Sequence, residues 1–310
     1  MSLISEAHFV DLYLGRSFSD VKGLAGAAAL RVEAPAAWTE ELRALRERCL
    51  QRFAQDQQPE FSVLEDGVVL RVTQIPDAYG DSVFVLRKSN ACLRAFPMLG
   101  YATEVVEALL APTTRGLVLF CGEMSTGKTS SAASLLAARL ERHGGFALAV
   151  EDPPETALHG THGAGRCIQI PVTRQQGYEE ALIRALRTGA DLLLIGEIRD
   201  TPTAAQAVRA SINGHFIIAT LHAGSIAQAV ERIAELAEPE IPNARAILAQ
   251  GLVAVMVQAL GTQGGISTLK VRSLLLTADE GPAIREKIRT NRIQQLDQEA
   301  EQQSQRSYWT

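Results

Sequence analysis

The sequence has few of the features that mark membrane-spanning or nucleic-acid-binding proteins. Aromatic residues make up only 5% of the 310 residues, so the core depends on Leu, Val, Ile and Ala. The longest apolar run, 251–260, is shorter than the roughly 20 residues that a membrane-spanning helix needs. The net charge is -5, which argues against a nucleic-acid partner because such proteins carry a basic stripe.

Cysteine is scarce and badly spaced for binding metal. No CxxC pair occurs among the four cysteines, Cys49, Cys92, Cys121 and Cys167. This excludes a zinc ribbon and a thioredoxin-like motif, and Cys49 and Cys121 are expected to be buried, reduced thiols. The first residues contain acids and no basic cluster, so no signal peptide is expected and the predicted location is the cytoplasm.

The hydrophobic pattern changes once along the chain, and the length predicts about two domains. The first part reads as α+β, with one helix whose apolar face includes Leu42 and Leu45, followed by alternating strands. Later, short apolar runs alternate with helices, which is typical of a mostly parallel sheet covered on both faces. The predicted divisions are an α+β domain at 1–96, a linker at 97–111, an α/β domain at 112–280 and a helical tail at 281–310.

A glycine-rich stretch follows the first apolar strand of the predicted α/β domain and opens a helix predicted over 128–143. It matches GxxxxGK[ST], the phosphate-binding P-loop. In this loop backbone N–H groups surround the phosphates, Lys128 reaches the β- and γ-phosphates, and the Thr129 hydroxyl binds Mg²⁺. The predicted nucleotide-binding residues are Gly122, Glu123, Met124, Ser125, Thr126, Gly127, Lys128, Thr129 and Ser130.

Acidic residues follow two other predicted strands. Glu197 comes directly after an apolar strand, where P-loop enzymes place the acid that holds Mg²⁺, so Thr129 and Glu197 are the predicted metal ligands. Glu151 and Glu155 follow another strand, and either could orient the attacking water. A solvated loop explains the second pair equally well from position alone.

Two histidines and two arginines are weaker candidates. His215 and His222 flank a predicted strand at 216–220, and a lone histidine at a strand end is usually structural. Arg71 and Arg87 lie on strands of the first domain, where arginines are more often simply solvated.

Taken in order, these motifs resemble one family. The order is the P-loop, Glu-Asp-Pro-Pro-Glu, an apolar strand ending in Gly-Glu-Ile-Arg-Asp, and Gly-His-x4-Thr-Leu-His. It resembles the ATPases of type II and type IV secretion and of type IV pili, most of all the PilT-like motors that retract pili. The resemblance covers about residues 19–289. It implies a PAS-like N-terminal domain, a RecA-like ATPase domain and a homo-hexamer.

The resemblance also implies roles. Arg71 and Arg87 are expected to reach the nucleotide, and His215 and His222 to sense its γ-phosphate. Glu151 becomes the preferred general base and Glu155 the second candidate. Mg²⁺ is the expected cofactor, with ATP as substrate.

The expected partner is a platform protein of the inner membrane, with which the motor associates peripherally, and a paralogous ATPase is a further candidate. Retraction is favoured by a single small N-terminal domain, by the missing four-cysteine metal site, and by 282–289, which resembles an Ala-Ile-Arg-x-x-Ile-Arg motif. Alternatively, those residues form a helix that packs through Ile284 and Ile288 with its arginines in water.

The sequence departs from the family where Glu123 replaces a usual proline and where Ala223 and Gly224 follow His222. Three alternatives therefore stay open: an assembly or secretion motor, a nucleotide-binding accessory subunit without turnover, and a nucleic-acid translocase on the same core. The acidic composition argues against the translocase.

Overall fold

The structure is a computed structural model, and it describes residues 2–89, 91, 93–172, 177–263 and 266–307. The chain divides into two compact units. The first unit comprises 1–92 together with 152–157, and the second contains 93–151, 158–172 and the described residues from 177 onward.

The first unit is an α+β structure built on an antiparallel six-stranded sheet of order β3-β2-β1-β6-β5-β4. Its elements are α1 (Leu3–Glu6), β1 (Asp11–Leu14), β2 (Ser19–Lys22), β3 (Arg31–Glu33), α2 (Thr39–Asp56), β4 (Glu60–Glu65), β5 (Val68–Pro76) and β6 (Ser82–Lys88).

One face of this sheet forms the core of the first unit. Side chains alternate along β5, so Leu70 and Val72 are buried while Arg71 is exposed between them. The apolar face of α2, with Leu42 and Leu45, belongs to the same cluster.

The second unit alternates strands with helices, as the sequence pattern predicts. Its elements are α3 (Thr103–Leu110), β7 (Gly116–Gly122), α4 (Lys128–His143), β8 (Gly145–Glu151), β9 (Gly160–His162), β10 (Gly165–Pro171), α5 (Gly177–Leu186), β11 (Leu192–Ile195), α6 (Thr201–Ser211), β12 (Phe216–Leu221), α7 (Ile226–Ala237), α8 (Ala244–Gly251), β13 (Leu252–Gln263), β14 (Ile266–Leu275), α9 (Gly281–Arg289) and α10 (Leu296–Ser307).

The sheet of the second unit has the order β14-β13-β7-β12-β11-β8-β10-β9. Every pairing from β13 to β10 is parallel, and only the outermost strands β14 and β9 pair antiparallel. The predicted α/β class with a mostly parallel sheet is therefore confirmed.

Apolar residues cover both faces of this second sheet, because its central strands are buried on both sides. Along β7, Leu117 and Leu119 belong to one core cluster and Val118 and Phe120 to another. Helices α3 and α4 contribute to the cluster around Phe120, and α5 to α10 contribute to the opposite one. Within the described residues, no helix combines the length and the apolar character needed to cross a membrane.

The units differ from the predicted boundaries in three places. The predicted linker, 97–111, lies inside the second unit, where Phe96 stacks on Tyr101 at 4.9 Å and α3 buries Leu109. The predicted tail, 281–310, is part of the second core through Ile284 and Leu296, as far as its residues are described. Residues 152–157 return to the first unit, where the Ser62 hydroxyl donates a hydrogen bond to the carbonyl of Pro154 at 2.6 Å.

Candidate nucleotide-binding site

Four parallel strands bring the candidate residues to one edge of the second sheet. Strands β7, β12, β11 and β8 are neighbours and run in the same direction, so their carboxyl ends meet. The P-loop follows β7, Glu151 ends β8, Glu197 follows β11 by one residue and His222 follows β12 directly. In open α/β sheets this edge is where ligands bind.

The backbone of the P-loop has the conformation that its glycines permit. Gly122 has a φ of +146°, and a Cβ there would lie 2.4 Å from the carbonyl oxygen of Gln258. Gly127 and Ser125 have φ values of 87° and 60°, which place both in the left-handed region. The loop then enters α4 at Lys128, so the first N–H groups of a 16-residue helix face the loop.

Lys128 is held inside the P-loop by backbone carbonyls. Its side chain is buried, and Nζ donates hydrogen bonds to the carbonyls of Gly122 at 3.0 Å and Glu123 at 2.5 Å. The Thr126 hydroxyl donates to the same Glu123 carbonyl at 2.9 Å. These bonds hold the ammonium group inside the loop, and its contact with a phosphate stays a prediction.

The remaining P-loop residues lie as the motif requires. Thr129 follows Lys128 in the first turn of α4 and is half-buried, as is Ser130. The side chains of Glu123, Met124 and Ser125 are exposed. The Glu123 carboxylate is therefore an exposed negative charge in a loop built for anions.

Glu151 is a buried carboxylate at the end of β8. It is 2% exposed and accepts a hydrogen bond from the side-chain amide of Gln169 at 2.7 Å. A Cβ built on Gly196 would lie 3.2 Å from the Cα of Glu151 and 3.1 Å from the hydroxyl of Tyr178. Glycine at 196 therefore lets these groups approach the turn that carries Glu197.

Glu197 and His222 form the second polar group of the site. His222 Nε2 lies 3.1 Å from Glu197 Oε1, and Arg199 Nη2 lies 2.6 Å from Glu197 Oε2. The Thr220 hydroxyl donates to the carbonyl of Gly196, which ties β12 to the turn after β11. The structure thus brings together two residues that the sequence predicts to act at the phosphates.

Two site residues were missed by sequence reasoning. Gln258 on β13 is 2% exposed, and its amide donates a hydrogen bond to Ser131 in α4 at 2.8 Å and another to the Tyr101 hydroxyl. Tyr178, at the start of α5, lies against Gly196. An amide inside an apolar strand was a usable signal for Gln258, whereas nothing in the pattern around Tyr178 marks its place.

His215 does not lie with the other site residues. It precedes β12, and its carbonyl accepts a hydrogen bond from Gly116 N, at the first residue of β7, at 2.8 Å. Its Nδ1 lies 3.3 Å from the carbonyl oxygen of Ala190. Because β7 and β12 are parallel, this is the amino end of the sheet, opposite the P-loop. Within this unit His215 therefore lies away from the P-loop, and its contact with the nucleotide stays a prediction from family resemblance.

Glu155, Arg71 and Arg87 belong to the first unit, whereas the P-loop and Glu151 belong to the second. Arg71 Nη1 pairs with Glu155 Oε1 at 2.7 Å, and Arg87 Nε donates to Asp11 Oδ1 at 2.7 Å. The hydrogen bond from Arg87 lowers the pKa of Asp11 below its ordinary value. Within the first unit, each of the two arginines therefore has an acidic partner.

The site suits Mg²⁺ carried by a nucleotide. Among the described residues no group of three or more His, Cys, Asp or Glu side chains could enclose a metal ion. Mg²⁺ in phosphate-transfer sites is usually held by one or two protein oxygens plus phosphates and water. The Thr129 hydroxyl and the Glu197 carboxylate supply oxygens of that kind beside the P-loop, so the residues fit this group.

Comparison with known proteins gives one family over most of the chain. Residues 38–303 match the model of the type II/IV secretion system protein family. The chain is similar to the type II secretion system protein HxcR of Pseudomonas aeruginosa, 34% identical over 67% of this chain and 43% of that protein. It is also similar to the type IV pilus retraction ATPase PilT of the same organism, 32% identical over 59% of this chain and 52% of that protein.

The fold agrees with these sequence matches. The crystal structure of the pilus retraction motor PilT with bound ADP superposes with a TM-score of 0.74 at 26% identity, covering 95% of this chain and 88% of that one. The chain spans about half the length of the curated relatives that it matches. The motif order, the arrangement of the P-loop edge and the family match agree, and the chain belongs to the type II/IV secretion system protein family, whose members include motor ATPases.

Proposed function

We propose that this protein hydrolyses Mg-ATP as a subunit of a motor that drives a pilus or secretion machine. The observation that carries the proposal is the edge of the second sheet. There the P-loop, with its buried Lys128, shares one set of parallel strand ends with Glu151, Glu197 and His222. Phosphoryl transfer needs charge neutralisation and positioning more than covalent chemistry, and these residues supply both.

Each residue has a role that follows from its place. Lys128 and the N–H groups at the start of α4 bind the phosphates. Thr129 and Glu197 would hold Mg²⁺, which when bound offsets charge on the β- and γ-phosphates. We infer that His222 senses the γ-phosphate, and its contact with Glu197 supports this role.

Glu151 is the preferred general base. Its carboxylate is buried and oriented by Gln169 within the same unit as the P-loop, whereas Glu155 pairs with Arg71 in the first unit. A buried, oriented carboxylate is suited to accept a proton from water. The roles of Arg71 and Arg87 at the nucleotide stay a prediction from family resemblance.

Three variants test the hydrolysis proposal. Lys128→Ala is expected to abolish ATP binding, because it removes the cation of the P-loop. Glu151→Gln is expected to keep binding and to lower kcat by about 10²-fold or more, the usual size of a lost general base. Glu197→Gln is expected to lower turnover and to weaken the dependence on Mg²⁺ concentration.

The measurements are phosphate release under saturating Mg-ATP and equilibrium binding of a fluorescent ATP analogue. Glu155→Gln is the matched control for Glu151→Gln, since both remove one carboxylate from the same segment. Wild-type turnover no faster than that of Lys128→Ala would leave the non-hydrolysing accessory subunit as the better reading. Equal losses in the two glutamate variants would contradict the assignment of the base.

The assembly is proposed from the family resemblance. We infer a homo-hexamer in the cytoplasm, attached peripherally to the inner membrane through a platform protein, with a paralogous ATPase as a further partner. ATP-driven closure in such a ring would move the platform protein. Light scattering with Mg-ATP at tens of micromolar protein that shows monomer alone would contradict the ring.

Retraction of a type IV pilus is the finer proposal. It is supported by the similarity to PilT in sequence and fold, while the similarity to HxcR keeps a secretion motor as the alternative. Deletion of the gene is expected to leave cells with more surface pili and without twitching, since assembly would continue unopposed. Cells without pili, with other pilus proteins at normal levels, would favour assembly or secretion instead.

A further inference from the structure

The loop that carries His222 is held on both sides. Residues 222–225 join β12 to α7. Gly224 N donates a hydrogen bond to the side chain of Gln228 at 2.7 Å, and Arg272 Nη2 donates to the Gly224 carbonyl at 3.3 Å. The sheet fixes the start of this four-residue loop and α7 fixes its end, so the conformation of the loop that carries His222 also depends on where α7 begins.

The start of α7 is fixed from two directions. Ser225 is the N-cap, and its hydroxyl accepts a hydrogen bond from Gln228 N. The Asp297 carboxylate accepts from the next two amides, with Oδ1 at 3.0 Å from Ile226 N and Oδ2 at 3.3 Å from Ala227 N. The first N–H groups of a helix lack partners within the helix, and a carboxylate there is favoured by the helix dipole.

Asp297 comes from a part of the chain that is anchored independently of α7. It lies in the first turn of α10, where Leu296 and Ala300 are buried in the core. Farther along α10, the Gln303 amide both donates to and accepts from the backbone of Leu275 at 2.9 Å. Since β14 and the core hold α10, Asp297 acts as a fixed support for the start of α7.

We propose that Asp297 is a positioning residue of the ATPase site, which sets His222 against Glu197 by holding the first turn of α7. The inference rests on the proposed hydrolysis of ATP. It gives the C-terminal segment a role in turnover: 71 residues separate Asp297 from Ile226, and the contact ties that segment to the γ-phosphate side of the site. A side chain that merely stabilised the fold would affect folding and binding without a selective effect on kcat.

Asp297→Ala and Glu299→Ala form the matched pair for the test. Both remove one carboxylate from α10, but Glu299 forms an ion pair with Lys287 of α9, whereas Asp297 accepts hydrogen bonds from the first amides of α7. Three quantities are measured in the full chain: kcat for Mg-ATP, affinity for the slowly hydrolysed analogue ATPγS, and amide hydrogen exchange over 222–229. Asp297→Asn, which keeps one acceptor oxygen, is the second variant should the alanine form fail to fold.

Asp297→Ala is expected to lower kcat about tenfold while affinity for ATPγS changes less than about twofold, the split expected when an interaction used in turnover is lost. Exchange over 222–229 should rise in this variant and stay at the wild-type rate in Glu299→Ala, with the P-loop unaffected in both. For Asp297→Asn, both kcat and the exchange rate over 222–229 should lie between those of the wild type and those of Asp297→Ala.

Equal kcat and equal exchange in the two alanine variants would overturn the proposal. So would a loss of ATPγS affinity as large as the loss of kcat. Absence of turnover in the wild type would instead refute the proposed function. In that case the exchange data decide alone: a rise over 222–229 confined to Asp297→Ala supports Asp297 as the support of this loop, and no such rise overturns it.

Discussion

At the scale of single residues, Glu123 sets the P-loop of this chain apart. Its backbone carbonyl accepts hydrogen bonds from Lys128 and Thr126, so the backbone does what the loop requires. Its side chain, however, is an exposed carboxylate within a few residues of Lys128, the cation proposed to bind phosphate. Charges near a protein surface interact by about 1 kcal/mol or less once water and salt screen them.

Glu123→Gln is therefore expected to tighten ATP binding by about two- to fivefold at low salt, with a smaller gain at high salt. Glu141→Gln is the control, because Glu141 is an exposed acid near the far end of α4, the helix that follows the P-loop. Titration with a fluorescent ATP analogue at two ionic strengths measures the affinity of both variants for the nucleotide. Unchanged affinity for Glu123→Gln at low salt would mean that its carboxylate lies away from the bound phosphates.

The residues that sequence reasoning placed well are those whose chemistry depends on local spacing. Lys128 is held by its own loop, and Glu197 and His222 follow adjacent parallel strands, so those strands bring the two residues to the same edge of the sheet. The separation of His215 from His222 did not follow from the motif, because a whole strand lies between them and a strand carries its two ends to opposite edges of the sheet. Gln258 acts through Ser131 and Tyr101, contacts that only the folded chain creates.

At the scale of elements, helix ends followed from local signals. The predicted helix over 128–143 is α4, and at the start of α7 the Ser225 hydroxyl accepts from Gln228 N, which is one half of a capping box. The Gln228 side chain accepts from Gly224 N instead of completing the box at Ser225. A capping residue needs only its own neighbours, which is why such ends can be predicted, whereas the support from Asp297 cannot.

The segment 282–289 forms a helix, as predicted, but the environment of one of its arginines differs from the prediction. Ile284 and Ile288 are buried, as the packing alternative expected, but Arg285 is half-buried and not simply solvated. Its guanidinium donates to the carbonyls of Ala249 and Gln250, the latter at 2.8 Å, at the end of α8. Burial lowers the pKa of Arg285 below its ordinary value. Arginine at this position therefore satisfies carbonyls that α8 leaves without partners.

Arg285→Ala is expected to lower the free energy of unfolding by about 1–3 kcal/mol, since it leaves these carbonyls without their charged donor. Arg289 is an exposed arginine of the same helix, and it pairs with Glu286 one turn earlier. Arg289→Ala is therefore expected to change the free energy of unfolding by less than about 0.5 kcal/mol. Chemical denaturation of both variants makes the comparison. Similar effects would show that Arg285 contributes little as a cap.

At the scale of the whole molecule, each unit has a hydrophobic core of its own. The cluster around Leu70 and Phe84 serves the first unit, and the two clusters on either face of the second sheet serve the second. Sequence patterns predicted the first boundary near residue 96, close to the division after 92. They did not predict that 152–157 belongs with the first unit, because the hydrogen bond of Ser62 and the ion pair of Arg71 join residues far apart in sequence.

Two separate cores, and a nucleotide site built on one of them, predict how ATP changes thermal unfolding. A ligand stabilises the state that binds it by about 2.7 kcal/mol at 100 times its Kd. For a unit of about 200 residues this corresponds to a rise of about 5–10 °C in Tm. We expect calorimetry to show two transitions, with Mg-ATPγS raising that of the second unit and leaving that of the first unchanged.

Trp38 identifies the transitions, because it is buried in the first unit and contacts Phe9 there. In a chain carrying Trp309→Phe, Trp38 is the single tryptophan. Its fluorescence should follow the transition whose Tm does not change when the nucleotide is added. Lys128→Ala should abolish the rise in Tm of the second unit with Mg-ATPγS. The Tm that Trp38 fluorescence reports should stay the same, since this substitution affects the P-loop alone. A Trp38 transition that rises with Mg-ATPγS as far as the other would mean that the nucleotide stabilises both units together, and the P-loop edge would then be only part of the binding site.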